Sequence, residues 1–334
     1  PVNLLNSSIW LLAFSNFISG LFFFALSVVF VNDLKISKPN SEILKKFLKF
    51  SYPFIISTSL MMIFRNIDLL LVNIWFPIED VANYFTAKQI FDIFFSVFLE
   101  ISFLLLIIFS QNISSGRIKQ NIIIINKTHK ILNFFIVPFV FLTIIYSTEI
   151  IVFIFGKQYE MTGVLLSIFS LNLIILSFDL GNKAHIRALE EVKFVAVMAI
   201  FQNSLSLVLA LVFIIPDFLN MGALGGAVSS IIALIISQLI LRPIIYKKFG
   251  LGFYWGSFRN LAIMLGVFFI QIYINNSIYY PIYLVPLFIL FDISLYFTIS
   301  YLFKGISKEN ISFILTTINL KNIKATIFSE LYLD

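Results

Sequence analysis

Nine apolar runs, each long enough to cross a lipid bilayer, restrict this chain to a membrane fold. A transmembrane helix needs about 20 apolar residues, and backbone amides in lipid must be hydrogen-bonded within the segment itself. Each run therefore predicts a helix, and we expect an all-α, polytopic transmembrane bundle of about nine helices. The predicted spans are 10–31, 53–76, 84–109, 131–148, 161–180, 194–215, 221–241, 258–274 and 282–302.

The composition excludes a water-soluble or a disordered chain. Hydrophobic residues make up 60% of the sequence and charged residues only 12%, whereas soluble domains carry about 25% charged residues. The 41 Phe and 13 Tyr are atypical of disordered chains. Without cysteine the chain can form neither a disulfide nor a thiolate metal site, and two histidines are too few for a zinc cluster. We expect no metal and no cofactor.

Basic residues are concentrated in alternate connections between the predicted helices. Twenty of the 23 lysines and arginines fall in 32–50, 110–130, 181–193, 242–259 and the tail from 303. The connections on the other side contain only Lys157. Because basic loops stay in the cytoplasm, we predict a multi-pass plasma-membrane protein. Its amino terminus would lie outside and its carboxyl terminus in the cytoplasm.

The same pattern divides the chain into five parts. Residues 1–31 would be the last helix of an otherwise missing amino-terminal lobe, and 32–50 a cytoplasmic connection. A six-helix lobe would follow at 51–248, then two additional transmembrane helices at 249–303 and a cytoplasmic tail at 304–334. An odd helix count, an outside start and a first residue other than Met lead us to expect a fragment without its first helices.

The connection 32–50 contains a short amphipathic pattern. Ile43, Leu44, Phe47 and Leu48 share one face, opposite three lysines. This predicts a helix on the inner membrane surface, where anionic lipids attract lysine. A solvated basic loop is the alternative.

Two other segments have local signals. The apolar stretch 150–155 is too short to span a membrane, so we predict an interfacial turn on the outside. Small residues four apart, as in the pairs Gly222/Gly226 and Gly225/Ser229, predict close contacts between helices.

Ionisable side chains within the predicted spans are candidates for function, because a charge at a helix centre costs about 2.5–3.5 kcal/mol. Arg65 and Asp68 are three residues apart and could pair within one helix. If they face an aqueous cavity, Arg65 could bind an anionic head group through its guanidinium. If they face a neighbouring helix, the pair merely neutralises itself.

A second set of polar residues recurs every four positions in the span 84–109: Lys88, Asp92, Ser96 and Glu100. This ridge is expected to face the protein interior or a cavity, with Lys88 and Asp92 as a possible pair of opposite charge. The substrate-binding candidates are Arg65, Asp68, Lys88 and Asp92.

Glu100 and Asp292 are candidates for ion coupling, since a buried carboxylate takes up protons more readily than an exposed one. Asp179 is predicted to be interfacial because it lies near the inner end of its span. His129 and His185 lie in basic connections, where we expect solvated histidines.

Five segments resemble polysaccharide flippases of the multidrug/oligosaccharidyl-lipid/polysaccharide exporter superfamily. They are Leu-Lys-Lys-Phe-Leu-Lys-Phe-Ser-Tyr-Pro-Phe-Ile-Ile-Ser at 44–57, Arg-Asn-Ile-Asp-Leu-Leu-Leu at 65–71, Phe-Gly-Lys-Gln-Tyr at 155–159, Arg-Ala-Leu-Glu-Glu-Val-Lys at 187–193, and Ile-Pro at 215–216 with Gly-Ala-Leu-Gly-Gly-Ala at 222–227. In the fourth segment, Glu190 stands where the family more often has Gly. The resemblance extends over about 44–248.

The resemblance implies two pseudo-symmetric lobes of a MATE-like exporter with about fourteen helices, of which these nine would be the last. It implies a flippase that moves a polyprenyl-diphosphate-linked oligosaccharide by alternating access, with the head group in a cationic cavity. Expected partners are this lipid-linked oligosaccharide, membrane lipids and the missing amino-terminal helices. Other polysaccharide assembly proteins are further candidates.

Two alternative functions remain open. A cation-coupled exporter of small molecules, from a sister branch of the superfamily, would need an acidic cavity. A membrane-embedded polysaccharide polymerase or glycosyltransferase would need longer outside connections than those predicted. The sequence contains no P-loop, no HExxH motif and no Ser/His/Asp set, so we expect a protein that is not an enzyme. The inner membrane face accounts for the basic residues, so we expect no nucleic-acid partner.

Overall fold

The computed structural model describes residues 14, 17–23, 25, 40–42, 44–49, 51–52, 64, 66–252, 255–277 and 284–303. The chain forms two compact units, Pro1–Ser51 and Tyr52–Asp334. Every regular element in the described residues is helical. The structure therefore confirms the predicted all-α fold class.

The first unit contains the predicted amphipathic segment. Residues 44–49 are helical, and the side-chain oxygen of Asn40 caps the helix by accepting a hydrogen bond of 3.0 Å from the backbone N–H of Glu42. Leu44, Phe47 and Leu48 are exposed. The described residues thus form the predicted helix, and its location on the membrane surface stays a prediction.

The second unit contains nine described α-helices. They are α1 (Ile67–Trp75), α2 (Ile78–Ser114), α3 (Ile118–Phe155), α4 (Glu160–Ser177), α5 (Leu180–Ala188), α6 (Val192–Ile214), α7 (Gly222–Phe249), α8 (Gly256–Ser277) and α9 (Val285–Leu302). A short 3-10 helix, Lys157–Tyr159, precedes α4.

Six of these segments are long and apolar enough to cross a membrane. They are α2, α3, Lys157–Ser177, α6, α7 and α9, and α8 adds a shorter apolar stretch at Phe258–Ile274. Within the described residues the structure therefore confirms a polytopic membrane bundle. More than half of the predicted span 10–31, half of 53–76 and the predicted tail lie outside those residues.

The helices extend well beyond the apolar runs from which they were predicted. The predicted outside turn at 150–155 is wrong, because these residues form the last turns of α3. No residue there interrupts a helix, and the chain leaves α3 only at Gly156, whose φ of +94° favours glycine. Likewise, most of the predicted basic connection 110–130 belongs to the ends of α2 and α3.

Glycine allows the helices of the second unit to approach closely. A Cβ at Gly225 would lie 2.6 Å from the carbonyl oxygen of Phe213, and one at Gly226 would lie 2.8 Å from the hydroxyl of Tyr84. These contacts confirm the close packing predicted for this segment. Gly163, which the sequence analysis did not identify, lies directly against the backbone of Thr148.

The starts of α2, α4 and α7 lie at one end of the bundle. The side-chain oxygen of Asn83 accepts hydrogen bonds from the backbone N–H and the hydroxyl of Thr162, at 3.1 and 2.8 Å. The ring of Phe76, just before α2, lies against Gly222 at the start of α7.

The opposite end, called the basic end below, gathers the charged connections. There Asn112 donates a hydrogen bond of 2.8 Å to Asn121, and Lys248 forms an ion pair of 3.0 Å with Glu191. The lysines and arginines at this end are Arg117, Lys119, Lys127, Lys130, Lys183, Arg187, Lys193, Arg242, Lys247, Lys248 and Arg259. The amide nitrogen of Asn121 lies 3.2 Å from Nδ1 of His185, so these contacts bring together three segments that the sequence analysis placed on the same side.

We predict that Gly163→Ala destabilises the protein, because its methyl group would displace the backbone of α3. Overpacking of this kind costs about 1–3 kcal/mol. Gly266→Ala is the matched control, since a Cβ at Gly266 in α8 meets nothing within 4 Å. The thermal unfolding midpoint in detergent, followed by tryptophan fluorescence, should fall for Gly163→Ala and not for Gly266→Ala. Equal midpoints would contradict the proposed close contact.

Candidate functional site

A buried ion pair joins α1 and α2. The ammonium nitrogen of Lys88 lies 2.6 Å from Oδ1 and 2.9 Å from Oδ2 of Asp68. The two side chains are only 11% and 17% exposed. The hydroxyl of Tyr84 also donates a hydrogen bond of 2.6 Å to Oδ2 of Asp68. Both charges are therefore neutralised and hydrogen-bonded inside the bundle.

Local structure explains this geometry. Tyr84 and Lys88 are four residues apart on α2 and therefore point from the same face. Asp68 lies in the first turn of α1, where the helix dipole favours a negative charge. The ring of Tyr84 is fully buried and packs edge-on against Phe169, with ring centres 5.4 Å apart. Gly226 leaves space for the Tyr84 hydroxyl.

The structure brings together two of the four predicted substrate-binding residues, Asp68 and Lys88. The sequence analysis considered partners for them only on their own helices and missed this contact between helices. The opposite charges and the four-residue spacing of Tyr84 and Lys88 were visible, but not which helices pack together. Asp92 is half-buried. Arg65 lies outside the described residues, so its predicted pairing with Asp68 stays a prediction.

The two ion-coupling candidates have different surroundings. Glu100 is exposed in the described bundle, as is Ser96, so the predicted ridge is enclosed only near Lys88 and Asp92. Asp292 is 1% exposed, and its Oδ2 accepts a hydrogen bond of 2.8 Å from the hydroxyl of Tyr146 in α3. Asp292 therefore belongs to a buried contact between α3 and α9.

A cavity of about 560 Å³ lies between α2, α3, α4 and α9. Its described lining consists of isoleucine, leucine and phenylalanine side chains together with Thr143, Ser147 and Ser170. None of these residues is charged. This cavity therefore does not correspond to the cationic cavity that the resemblance implies.

Asp179 is buried at the interruption between α4 and α5, and its predicted position at the membrane interface stays a prediction. Its carboxylate forms an ion pair of 2.7 Å with Lys183 and accepts a hydrogen bond of 3.0 Å from Gln238 of α7. Burial raises the pKa of Asp179, but Lys183, Gln238 and Arg242 together outweigh burial and hold that pKa below its ordinary value. Asp179 therefore stays ionised and links α5 to α7.

His129 and His185 are buried, at 0% and 3% exposed, so the prediction of solvated histidines is wrong. Hydropathy placed both in a loop, whereas α3 continues past its apolar run and α5 packs against α2 and α3. The amide nitrogen of Asn121 lies 3.2 Å from Nδ1 of His185. Burial lowers the pKa of His185, and neutral imidazole can accept this hydrogen bond at Nδ1.

The ion pair between Asp68 and Lys88 should show strong coupling. Removing one partner of a buried pair costs about 3–5 kcal/mol, so Asp68→Asn and Lys88→Met should each destabilise the protein. The double variant should lose less free energy of unfolding than the sum of the losses in the two single variants. The difference, which is the coupling energy, should be about 0.5–3 kcal/mol.

The control for this double-mutant cycle is the exposed pair of Lys248 and Glu191, replaced by Met and Gln. An exposed pair contributes about 0.2–1 kcal/mol. Thermal or denaturant unfolding in detergent measures all variants. A coupling for Asp68 and Lys88 no larger than that of the exposed pair would contradict the buried contact.

His185 should make the protein less stable in mild acid. Because its folded-state pKa lies below the ordinary 6.5, the unfolded chain holds a proton there that the folded chain lacks. Stability is therefore lost as the pH falls from about 6.5 toward the folded-state pKa. Between pH 7.5 and 5.5, the thermal unfolding midpoint of His185→Asn should fall by less than that of the wild type. His129 is present in both proteins, so its own contribution cancels. The same loss in both would show that His185 does not titrate in this way.

Comparison of this chain with known protein families finds one match. Residues 2–164, which are 163 of the 334, match the model of a family described as polysaccharide biosynthesis protein. The match includes Asp68, Tyr84 and Lys88, whereas Asp179 and His185 lie beyond it. No curated protein matches the chain. Over just under half of its length, the chain is therefore similar to polysaccharide biosynthesis proteins.

Proposed function

We propose that this chain takes part in polysaccharide biosynthesis as a flippase. It would move a polyprenyl-diphosphate-linked oligosaccharide from the inner to the outer leaflet of the plasma membrane. The observation that carries this proposal is the match of residues 2–164 to a polysaccharide biosynthesis family. The matched part contains two long apolar helices and the buried pair of Asp68 and Lys88. As a transporter, the protein would need no catalytic residue.

The proposed orientation follows from the charges at the two ends of the second unit. The basic end would face the cytoplasm under the positive-inside rule. Lys88 lies ten residues after Ile78, the first residue of α2, which is about 15 Å along the helix. Because the hydrocarbon core is about 30 Å thick, the pair of Asp68 and Lys88 would then lie near the middle of the bilayer.

At that depth the pair has a role in alternating access. While it is closed, Asp68 and Lys88 hold α1 against α2 and cancel each other's charge. A diphosphate group gives Lys88 a competing anionic partner, so substrate arrival would weaken the contact between the two helices. Arg65, three residues before Asp68, would add a second cation whose planar guanidinium suits phosphate oxygens. Asp68, Lys88 and Arg65 together carry one net positive charge.

Ion coupling is a separate part of the proposal. Asp292 is enclosed in a membrane-spanning contact, where an ionised carboxylate is costly, and the Tyr146 hydroxyl that donates a hydrogen bond to it is neutral. A proton taken up and released by Asp292 would change the α3–α9 contact. Glu100 is exposed and therefore lacks this enclosure in the described helices.

The proposed function is tested by reconstituting the protein in liposomes with a fluorescent polyprenyl-diphosphate oligosaccharide in one leaflet. Transfer to the other leaflet by the wild type is the expected result. Asp68→Asn should slow the transfer about tenfold, equivalent to about 1.4 kcal/mol in the barrier, because it breaks the pair. Arg65→Ala should also slow the transfer.

Asp217→Asn is the matched control, since it makes the same chemical change at an exposed residue between α6 and α7. Its transfer rate should equal that of the wild type. No transfer by the wild type would overturn the flippase proposal. Transfer by the wild type and Asp68→Asn at equal rates would overturn only the role of the pair.

A further inference from the structure

A groove of about 880 Å³ lies at the basic end between α4, α7 and the start of α8. Its described lining is apolar and aromatic except for Gln238 and Arg242, both on α7. Arg242 is therefore the cationic group of a largely apolar groove. Neither the ion pair of α1 and α2 nor the family match includes these residues.

Arg242 is held in position by two backbone carbonyl groups. Nη1 donates a hydrogen bond of 3.2 Å to the carbonyl oxygen of Phe178, and Nη2 donates one of 2.8 Å to that of Gly252. Phe178 lies at the interruption between α4 and α5, and Gly252 follows the end of α7. The guanidinium is thus fixed at the junction of three chain segments.

The charge around the groove is positive. The carboxylate of Asp179, which faces Gln238, already forms its ion pair with Lys183 at 2.7 Å. Asp179, Lys183 and Arg242 together carry one net positive charge. Lys247, five residues beyond Arg242, is exposed and does not line the groove. The groove therefore complements an anionic group.

The walls of the groove suit a lipid. Trp255 is 73% and Leu239 is 71% exposed, and Tyr246 is exposed beside them. Tryptophan and tyrosine concentrate where the bilayer meets water. Basic pockets between helices at the cytoplasmic surface bind anionic lipid head groups. Apolar walls beside a single lining arginine match acyl chains attached to a head group with one negative charge.

From this combination we propose that the groove is a binding site for an anionic phospholipid of the surrounding bilayer. Arg242 binds its phosphate, and the apolar side chains around Leu239 accommodate an acyl chain. A polyprenyl diphosphate carries more negative charge than the single lining arginine balances, so the phospholipid is the better occupant. The proposal does not depend on the flippase activity.

Native mass spectrometry of the purified full chain tests this site. Phosphatidylglycerol and phosphatidylcholine with identical acyl chains are titrated, and the ratio of their affinities is measured. Arg242→Gln should reduce the preference for phosphatidylglycerol about fivefold, which corresponds to about 1 kcal/mol for one basic residue near the membrane surface. Arg242→Lys should retain most of the preference. Lys247→Gln, an exposed cation outside the groove lining, should leave the preference unchanged.

Leu239→Trp tests the groove without altering Arg242 or its hydrogen bonds. The larger side chain should fill the groove and weaken the binding of phosphatidylglycerol even if Arg242→Gln does not fold. An equal loss of preference in Lys247→Gln and Arg242→Gln would overturn the site, because it would show a general surface attraction. Wild-type binding by Leu239→Trp would overturn it as well. Displacement of phosphatidylglycerol by an equimolar polyprenyl diphosphate would assign the groove to the substrate and overturn the phospholipid proposal.

Discussion

Polar groups inside a membrane have no water to bind, so each needs a partner within the protein. This constraint accounts for the helical fold and also for the charged groups that the helices enclose. Asp68 is held by Lys88 and Tyr84, and Asp179 by Lys183 and Gln238. Each of these sets joins separate helices. The same requirement that makes a buried charge costly thus makes it a specific link between elements.

The sequence was sufficient to predict the membrane class, most of the described spans and the gathering of basic segments at one end of the bundle. Hydropathy measures how much of a helix lies in lipid, but not how far it continues into water. The solvated state predicted for His129 and His185 failed for this reason, because the long α3 and the short α5 stay packed beyond the apolar runs. The turn predicted at 150–155 failed for a different reason, because α3 continues through the charged Glu149 to Phe155.

The candidate site could be predicted only in part, because a spacing rule finds partners within a helix and not between helices. Asp68 and Lys88 were identified as buried charges, yet their contact depends on how α1 lies against α2. Arg242 was counted among basic loop residues, although its position in a groove depends on the bend after α4 and the end of α7. The family match adds information on the first of these regions and none on the second.

Helix α7 is in contact with both ends of the second unit. Gly226 lies against the hydroxyl of Tyr84, which donates a hydrogen bond to Asp68. Arg242 donates a hydrogen bond to the carbonyl oxygen of Phe178, at the interruption after α4. Gly226 and Arg242 are sixteen positions apart, which corresponds to about 24 Å along the helix. Because an α-helix resists compression along its axis, a small axial displacement of α7 at one end would be transmitted almost fully to the other end. Helix α7 thus has the geometry to couple movements at the two ends of the second unit.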